Sequence, residues 1–286
     1  MLKKLALLLA ATFACSGAAT AADSTRDDKA AEKLGWMLGI QCWTFRAKSL
    51  FETIELAHEL GLKYIETYPG QKLGDGTDAK NDPGMSAESK KALHAQLDKF
   101  GVKIMACGVI GIPKDEAGAR KVFDYAKEFG LRSITTEAGE DAFDTIDKLI
   151  KEYGVKVGIH EHAKPNHYWH PEIVLKGIMG HSADLGACAD IGHWGRSGLS
   201  AVECVQQLKG HIISLHLKDI EKVGEHSRDV PLGTGGTKPG EVLAELKKQG
   251  FKGLFSLEYE HEGPMLVDEV KACITYFDQQ AEALSK

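Results

Sequence analysis

Short apolar runs recur along the chain about every 25 to 30 residues from Met37 onward, separated by stretches with helical spacing of apolar positions. The runs near 37–43, 62–67, 102–109, 132–137, 155–160, 185–190, 212–217 and 253–258 read as strands. The segments near 48–60, 86–100, 115–129, 141–153, 171–179, 200–209, 239–249 and 266–284 read as helices. Gly61, Gly101, Gly130, Gly154 and Gly250 each stand just after a helical run and before a strand, where a left-handed C-cap is needed. Ser86 and Pro171 read as helix starts. Eight alternating units without a low-complexity linker predict one closed α/β fold, a single (β/α)8 TIM barrel over residues 36–286. The polar stretch 23–35 reads as a loose, flexible N-terminus.

Five of the later runs end in a metal-ligand type of residue: ITTE to Glu137, VKVGIH to His160, LGACAD to Asp190, IISLH to His216 and LFSLE to Glu258. A buried strand gains nothing from such an end unless the end faces a site. The long loops (68–85, 161–170, 191–199, 218–238 and 259–265) follow the same strand ends, which makes that face of the barrel the working one.

Strand side chains alternate, and the positions facing the helices should be bulky and apolar. This phase turns Gln41, Trp43, Glu66, Glu137, His160, His162, Asp190, His216, Lys218, Glu258 and Glu260 toward the axis. Glu161 then points away and is the alternative to His160 as a ligand. Mixed imidazole and carboxylate donors suit Mn, Co, Zn or Fe, with Mn or Co favoured, over Ca, which prefers oxygen alone.

Residues 1–22 set the compartment. Lys3 and Lys4, the apolar stretch to Ala14 and the small residues at 19–21 have the form of a cleaved signal peptide, which predicts a periplasmic or secreted protein. Thr12 and Phe13 argue against a lipoprotein linked through Cys15. Loss of the leader takes the net charge from −6 to about −8, which disfavours nucleic acid as a partner. Removing Cys15 leaves an odd number of cysteines in strand-like and helix-like runs, so buried thiols are expected rather than a disulfide framework. The expected partner is a small carbohydrate, without a membrane span, and homo-oligomerisation stays open.

The segments CADIGHW, SLHLKD, SLEYE and VPLGTG resemble the xylose isomerase-like TIM-barrel superfamily, the sugar phosphate isomerases/epimerases. The resemblance covers essentially the whole chain after the leader. It implies Asp190, His216 and Glu258 as metal ligands and His193 as a substrate contact. Two departures stand out. The family's ligand on the fifth strand is usually a Glu, where register gives His160 here, and its epimerases carry an Arg where Lys222 stands, with Arg228 further on.

The expected function is therefore a divalent-metal-dependent sugar isomerase or epimerase that abstracts a proton next to a carbonyl of an unphosphorylated sugar. The alternative is a 3-keto-glycoside lyase or hydratase, because the His-x-His strand end and the Tyr168-Trp169 loop look like an exported subgroup with that chemistry. An exported sugar-binding protein without catalysis is a third reading, and the acidic charge argues against an endonuclease. Glu137, Glu258, His193 and Lys218 are the catalytic candidates. His160, Asp190, His216 and Glu258 are the metal candidates. Glu66, His162, Trp43 and Trp169 are the substrate-binding candidates, and Trp194 is a further stacking candidate.

Overall fold

A computed structural model describes residues 26–286, so the expected leader lies outside the described residues. The chain runs α1 (Lys29–Leu34), β1 (Trp36–Gln41), α2 (Leu50–Glu59), β2 (Tyr64–Thr67), α3 (Ala87–Phe100), β3 (Lys103–Cys107), α4 (Glu116–Glu128), β4 (Ser133–Thr136) and α5 (Phe143–Tyr153). It continues through β5 (Lys156–His160), α6 (Pro171–Gly177), β6 (Leu185–Asp190), α7 (Ile191–Arg196), α8 (Ala201–Gln207) and β7 (Ile212–Leu217). A small pair β8 (Asp219–Ile220) and β9 (Asp229–Val230) precedes α9 (Pro239–Gln249), β10 (Gly253–Leu257) and α10 (Leu266–Leu284). Strands β1 to β7 and β10 close into a barrel in sequence order, with β10 pairing back onto β1 in parallel.

The alternation read from sequence is what closes it. Ile40, Ile65, Ile134, Ile159, Leu215 and Phe255 are fully buried under the helices. Inward positions low in the barrel are small, as at Gly39, Gly158, Gly186, Ser214 and Ser256, because eight converging strands leave little room there. A Cβ on Gly186 would lie 2.2 Å from the His211 carbonyl oxygen, so only glycine fits. Ser86, Asp115 and Ser200 cap α3, α4 and α8 by accepting from backbone N–H groups three residues on. Cys42, Cys107, Cys188, Cys204 and Cys273 are buried free thiols.

Three departures from the sequence expectation have physical causes. The 23–35 stretch is not loose where it is described. Residues 29–34 form α1, which packs on α10 with Ala31 buried. Arg26 anchors it, donating to both oxygens of Asp278 at 2.9 and 2.6 Å. Second, β1 stops at Gln41 and turns into a 3₁₀ helix over Cys42–Phe45, because the Gln41 side chain accepts from the Trp43 N–H and caps it. Third, the expected loop 191–199 begins with α7, capped by Asp190 through the His193 N–H. No helix among the described residues is long and apolar enough to cross a membrane.

Candidate functional site

Four strand ends converge at the mouth of the barrel. Pairing sets Asp190 level with His216, and His216 level with Ser256, so Glu258 rises beside them on the same face. His160 pairs with Cys188, one inward step below Asp190. Each of these four residues turns one buried atom without a hydrogen-bond partner into the shared space: His160 Nε2, Asp190 Oδ2, His216 Nδ1 and Glu258 Oε2. Asp190 Oδ2 is 3.6 Å from His160 Nε2 and 3.6 Å from His216 Nδ1, and His216 Nδ1 is 3.0 Å from Glu258 Oε2.

A buried polar atom left unpaired costs about 1–3 kcal/mol, more when charged. Neighbouring carboxylates also repel. A divalent ion relieves both penalties at once, and two imidazoles with two carboxylates form a donor set for Mn, Co, Zn or Fe. Among the described residues, ligand atoms of Asp190, His216 and Glu258 lie within 4.8 Å of one another, and so do those of His160, Asp190 and His193, so the residues present fit such an ion with His160 closing in from the Asp190 side.

The far nitrogens of the two histidines are held by carboxylates. His160 Nδ1 lies 2.9 Å from Glu137 Oε1, and His216 Nε2 lies 3.1 Å from Glu66 Oε2. Ser256 also donates to Glu66 Oε2. A carboxylate on one ring nitrogen fixes the tautomer and turns the lone pair of the other toward the centre. Without a cation, protons take its place. Burial opposes an imidazolium at both histidines. Asp190 and Glu137 nevertheless push His160 up to about 9, and the carboxylates near His216 hold it well above its ordinary value. Burial also opposes ionisation of Glu258, yet Lys218 and His216 keep it far below the usual carboxylate range.

Two of the residues expected in the pocket stand behind it instead. Glu66, expected to bind substrate, is fully buried against His216, Ser256 and Thr135. Lys218, expected to be catalytic, has a fully buried side chain, with Nζ 3.2 Å from Asp190 Oδ2, 3.0 Å from Glu258 Oε2 and 3.0 Å from Glu260 Oε2. Only the contact with Glu260 has hydrogen-bond geometry. A Cβ on Gly192 would lie 2.6 Å from Lys218 Cδ, so that glycine makes the space the lysine passes through.

The cavity above the cluster has a volume of about 430 Å³. Residues following β1 to β3 give it an apolar side, including Trp43, Tyr68, Pro69 and Val109. Residues at and after the ends of β4 to β10 give it imidazoles and carboxylates. His162 and His193 both line it, with ring centroids 4.0 Å apart. Glu137 forms part of its wall and is shared with a second cavity of about 440 Å³ bounded by Glu140, Asn166 and His167. Asn166 donates to Glu137 Oε2 at 2.7 Å.

Trp169 does not line the cavity. It packs under Lys164, whose Nζ is 3.9 Å from the ring centroid, whereas Trp43 lines the cavity and is 41% exposed. Trp194 is fully buried. Glu161, the alternative ligand, is also fully buried but lies on the opposite face of the strand near Trp194 and Cys204, where burial pushes its pKa well up. His160 therefore occupies the inward place.

The guanidinium groups near the site come from neither expected position. Lys222 is exposed, and Arg228 pairs with Glu221 at 3.6 Å on the exposed β8–β9 connection. Arg196 of α7 donates to Glu260 Oε2 at 2.6 Å, and Arg46 lies over the Trp43 ring and donates to the Glu260 carbonyl at 3.0 Å. Arg196 and Glu260 were both left out of the expected site. Inward register was an available signal for Glu260, whereas Arg196 had none, because residues 191–199 read as a loop.

A protein of Methanocaldococcus jannaschii, uncharacterised in function, is 30% identical over 136 residues, 44% of this chain and 45% of that protein. The match thus spans less than half the length of that relative. A solved structure of an uncharacterised protein from Parabacteroides distasonis is 31% identical, with a TM-score of 0.69 over 86% of this chain and 99% of that one. A D-tagatose 3-epimerase-like protein superposes with a TM-score of 0.67 at 20% identity, over 87% and 98% of the two chains. The IolI protein with a binding zinc atom superposes with a TM-score of 0.65 at 18% identity, over 87% and 99%. At such identities the last two show the shared fold. The sequence profile of the xylose isomerase-like TIM barrel matches residues 54–279, so the chain belongs to that family.

Proposed function

We propose that this protein is a divalent-metal-dependent isomerase or epimerase of an unphosphorylated sugar, with His160, Asp190, His216 and Glu258 holding the ion. The observation that carries the reading is the convergence of four unpartnered buried donor atoms beneath a sugar-sized cavity. The zinc in the similar IolI structure supports the metal, and the D-tagatose 3-epimerase-like neighbour supports the chemistry.

When bound, a divalent ion supplies Lewis acidity to a carbonyl oxygen next to the reacting carbon. The chain supplies the proton transfer. Glu137 and Glu258 both stand on the cavity wall, and both are held ionised against the effect of burial, Glu137 mainly by His160 and Glu258 mainly by Lys218. One takes the proton from carbon, a contribution of about 10² to 10⁴ in rate for general base catalysis, and the carboxylic acid so formed returns it to the neighbouring carbon in an isomerisation, whereas in an epimerisation the other carboxylate delivers to the opposite face a proton it has first taken up from water. Trp43 offers its face to the apolar side of a sugar ring. The cavity lining has three carboxylates and, among the described residues, no Lys or Arg, which favours a neutral sugar over a phosphorylated one.

One observation favours a second reading, elimination from a 3-keto-glycoside. The second cavity sharing Glu137 leaves room for a leaving group beyond the first. A proton NMR time course in D₂O separates the two. Metal-loaded protein incubated with free aldoses and ketoses should incorporate deuterium next to the carbonyl and form an epimer or isomer. Release of aglycone from 3-keto-glucosides, with free sugars untouched, would replace the first reading with the second.

A further inference from the structure

We infer that Arg196 fixes His193 in the tautomer with its proton on Nε2, so that His193 faces the cavity as a hydrogen-bond donor and not as a base. Arg196 is in this sense a positioning residue of the site.

The direction of one hydrogen bond decides it. Arg196 NH1 lies 3.3 Å from His193 Nδ1. A guanidinium has five donors, no acceptor, and keeps its charge throughout the working pH range. Nδ1 must therefore accept, and a neutral imidazole that accepts at Nδ1 carries its proton at Nε2. A proton at Nδ1 would set donor against donor.

Both partners are fixed in place. Arg196 follows His193 by three residues on α7, so the two side chains share a helix face. NH1 also donates to Glu260 Oε2, NH2 donates to Asp229 Oδ1, and Nε donates to the Ser227 carbonyl at 3.4 Å. Asp229 in β9 in turn accepts from the Glu260 N–H, which ties the β8–β9 pair and the segment after β10 to one guanidinium. The Arg196 side chain is only 10% exposed. On the other side, Asp190 Oδ1 accepts from the His193 backbone N–H at 2.8 Å.

Nε2 is 3.8 Å from Asp190 Oδ2, beyond hydrogen-bond range, and His193 lines the cavity. Its N–H is thus left for a bound acceptor, a hydroxyl or carbonyl oxygen of the ligand. Proton abstraction from carbon then falls to the carboxylates. The role toward a sugar oxygen rests on the proposed function, whereas the tautomer does not.

The test is a long-range ¹H–¹⁵N correlation spectrum of zinc-loaded protein with ¹⁵N-labelled histidine at neutral pH, without substrate. His193→Gln identifies the His193 signals. The expected pattern is an unprotonated Nδ1 and a protonated Nε2, with that pattern lost in Arg196→Met. A protonated Nδ1 in the wild-type protein, as the other tautomer or as a cation, overturns the inference. So does an unchanged Nε2–H pattern in Arg196→Met. Should that variant fail to fold, the wild-type spectrum alone still decides. Absence of sugar turnover with the expected pattern would remove the proposed function and leave the tautomer assignment standing.

Discussion

Glu137 Oε1 lies 2.9 Å from His160 Nδ1, and this contact decides which nitrogen of His160 faces the centre of the barrel. Removing a carboxylate that orients a ligating histidine typically costs about 10- to 100-fold in metal affinity. Glu137→Ala is expected to weaken metal binding by that factor, measured by competition with a coloured chelator. Glu137→Gln keeps an accepting oxygen for His160 but cannot take a proton. It should retain most of the affinity while losing about 10² or more in kcat, the scale of general base catalysis.

Glu66 is expected to matter for folding more than for substrate. It is fully buried against His216 and Ser256, and breaking such a pair leaves a buried group uncompensated at a cost of about 3–5 kcal/mol. Urea unfolding of metal-free Glu66→Ala should show a loss of that order. A loss below about 1 kcal/mol would mean the pair contributes no more than an exposed one.

The outcome at Glu66 also shows what was legible in the sequence. Period-two alternation located Asp190, His216 and Glu258, because a strand residue can face only the axis or the helices. It turned Glu66 to the axis as well, but could not give its height or tell that the His216 ring would cover it, since those depend on register across the barrel. Arg196 was hidden for a related reason. Residues 191–199 read as a loop, and only with α7 formed does a residue three positions after His193 stand beside it. The Trp169 expectation failed because a loop offers no periodicity from which to derive direction. The α1 helix was missed because Arg26, Asp28 and Lys29 make the segment look solvated, whereas Asp28 and the Arg26 side chain are buried against neighbouring elements.

Trp43 and Trp169 should therefore part company. An aromatic contact is worth about 0.5–1.5 kcal/mol beyond its buried area, so Trp43→Ala should raise KM for sugar up to about tenfold. Trp169→Ala should leave KM within about twofold, a shift too small for a lost aromatic contact. Steady-state kinetics on both variants checks the contrast.

The proton and the metal compete for His160. Its pKa in the folded, metal-free protein rises from 6.5 to about 9, burial opposing and Asp190 and Glu137 prevailing. A raised folded-state value means stability that is fully present below about 6.5 and lost as pH climbs through about 9. Chelator-treated protein should accordingly show a falling Tm across that window. Metal affinity should rise over the same range, because ligation requires the imidazole proton to leave. Thermal unfolding with and without metal from pH 6 to 9.5 checks both signs, and a metal-free Tm that rises toward pH 9 would contradict the account.

Four donor atoms converging at the barrel mouth are the central feature of this protein, and anomalous X-ray diffraction from crystals grown with zinc or manganese tests their role most directly. The expected result is a single strong peak within about 2.0–2.3 Å of His160 Nε2, Asp190 Oδ2, His216 Nδ1 and Glu258 Oε2. A barrel mouth with no peak, or a peak bound elsewhere with these four atoms left unligated, would contradict that role.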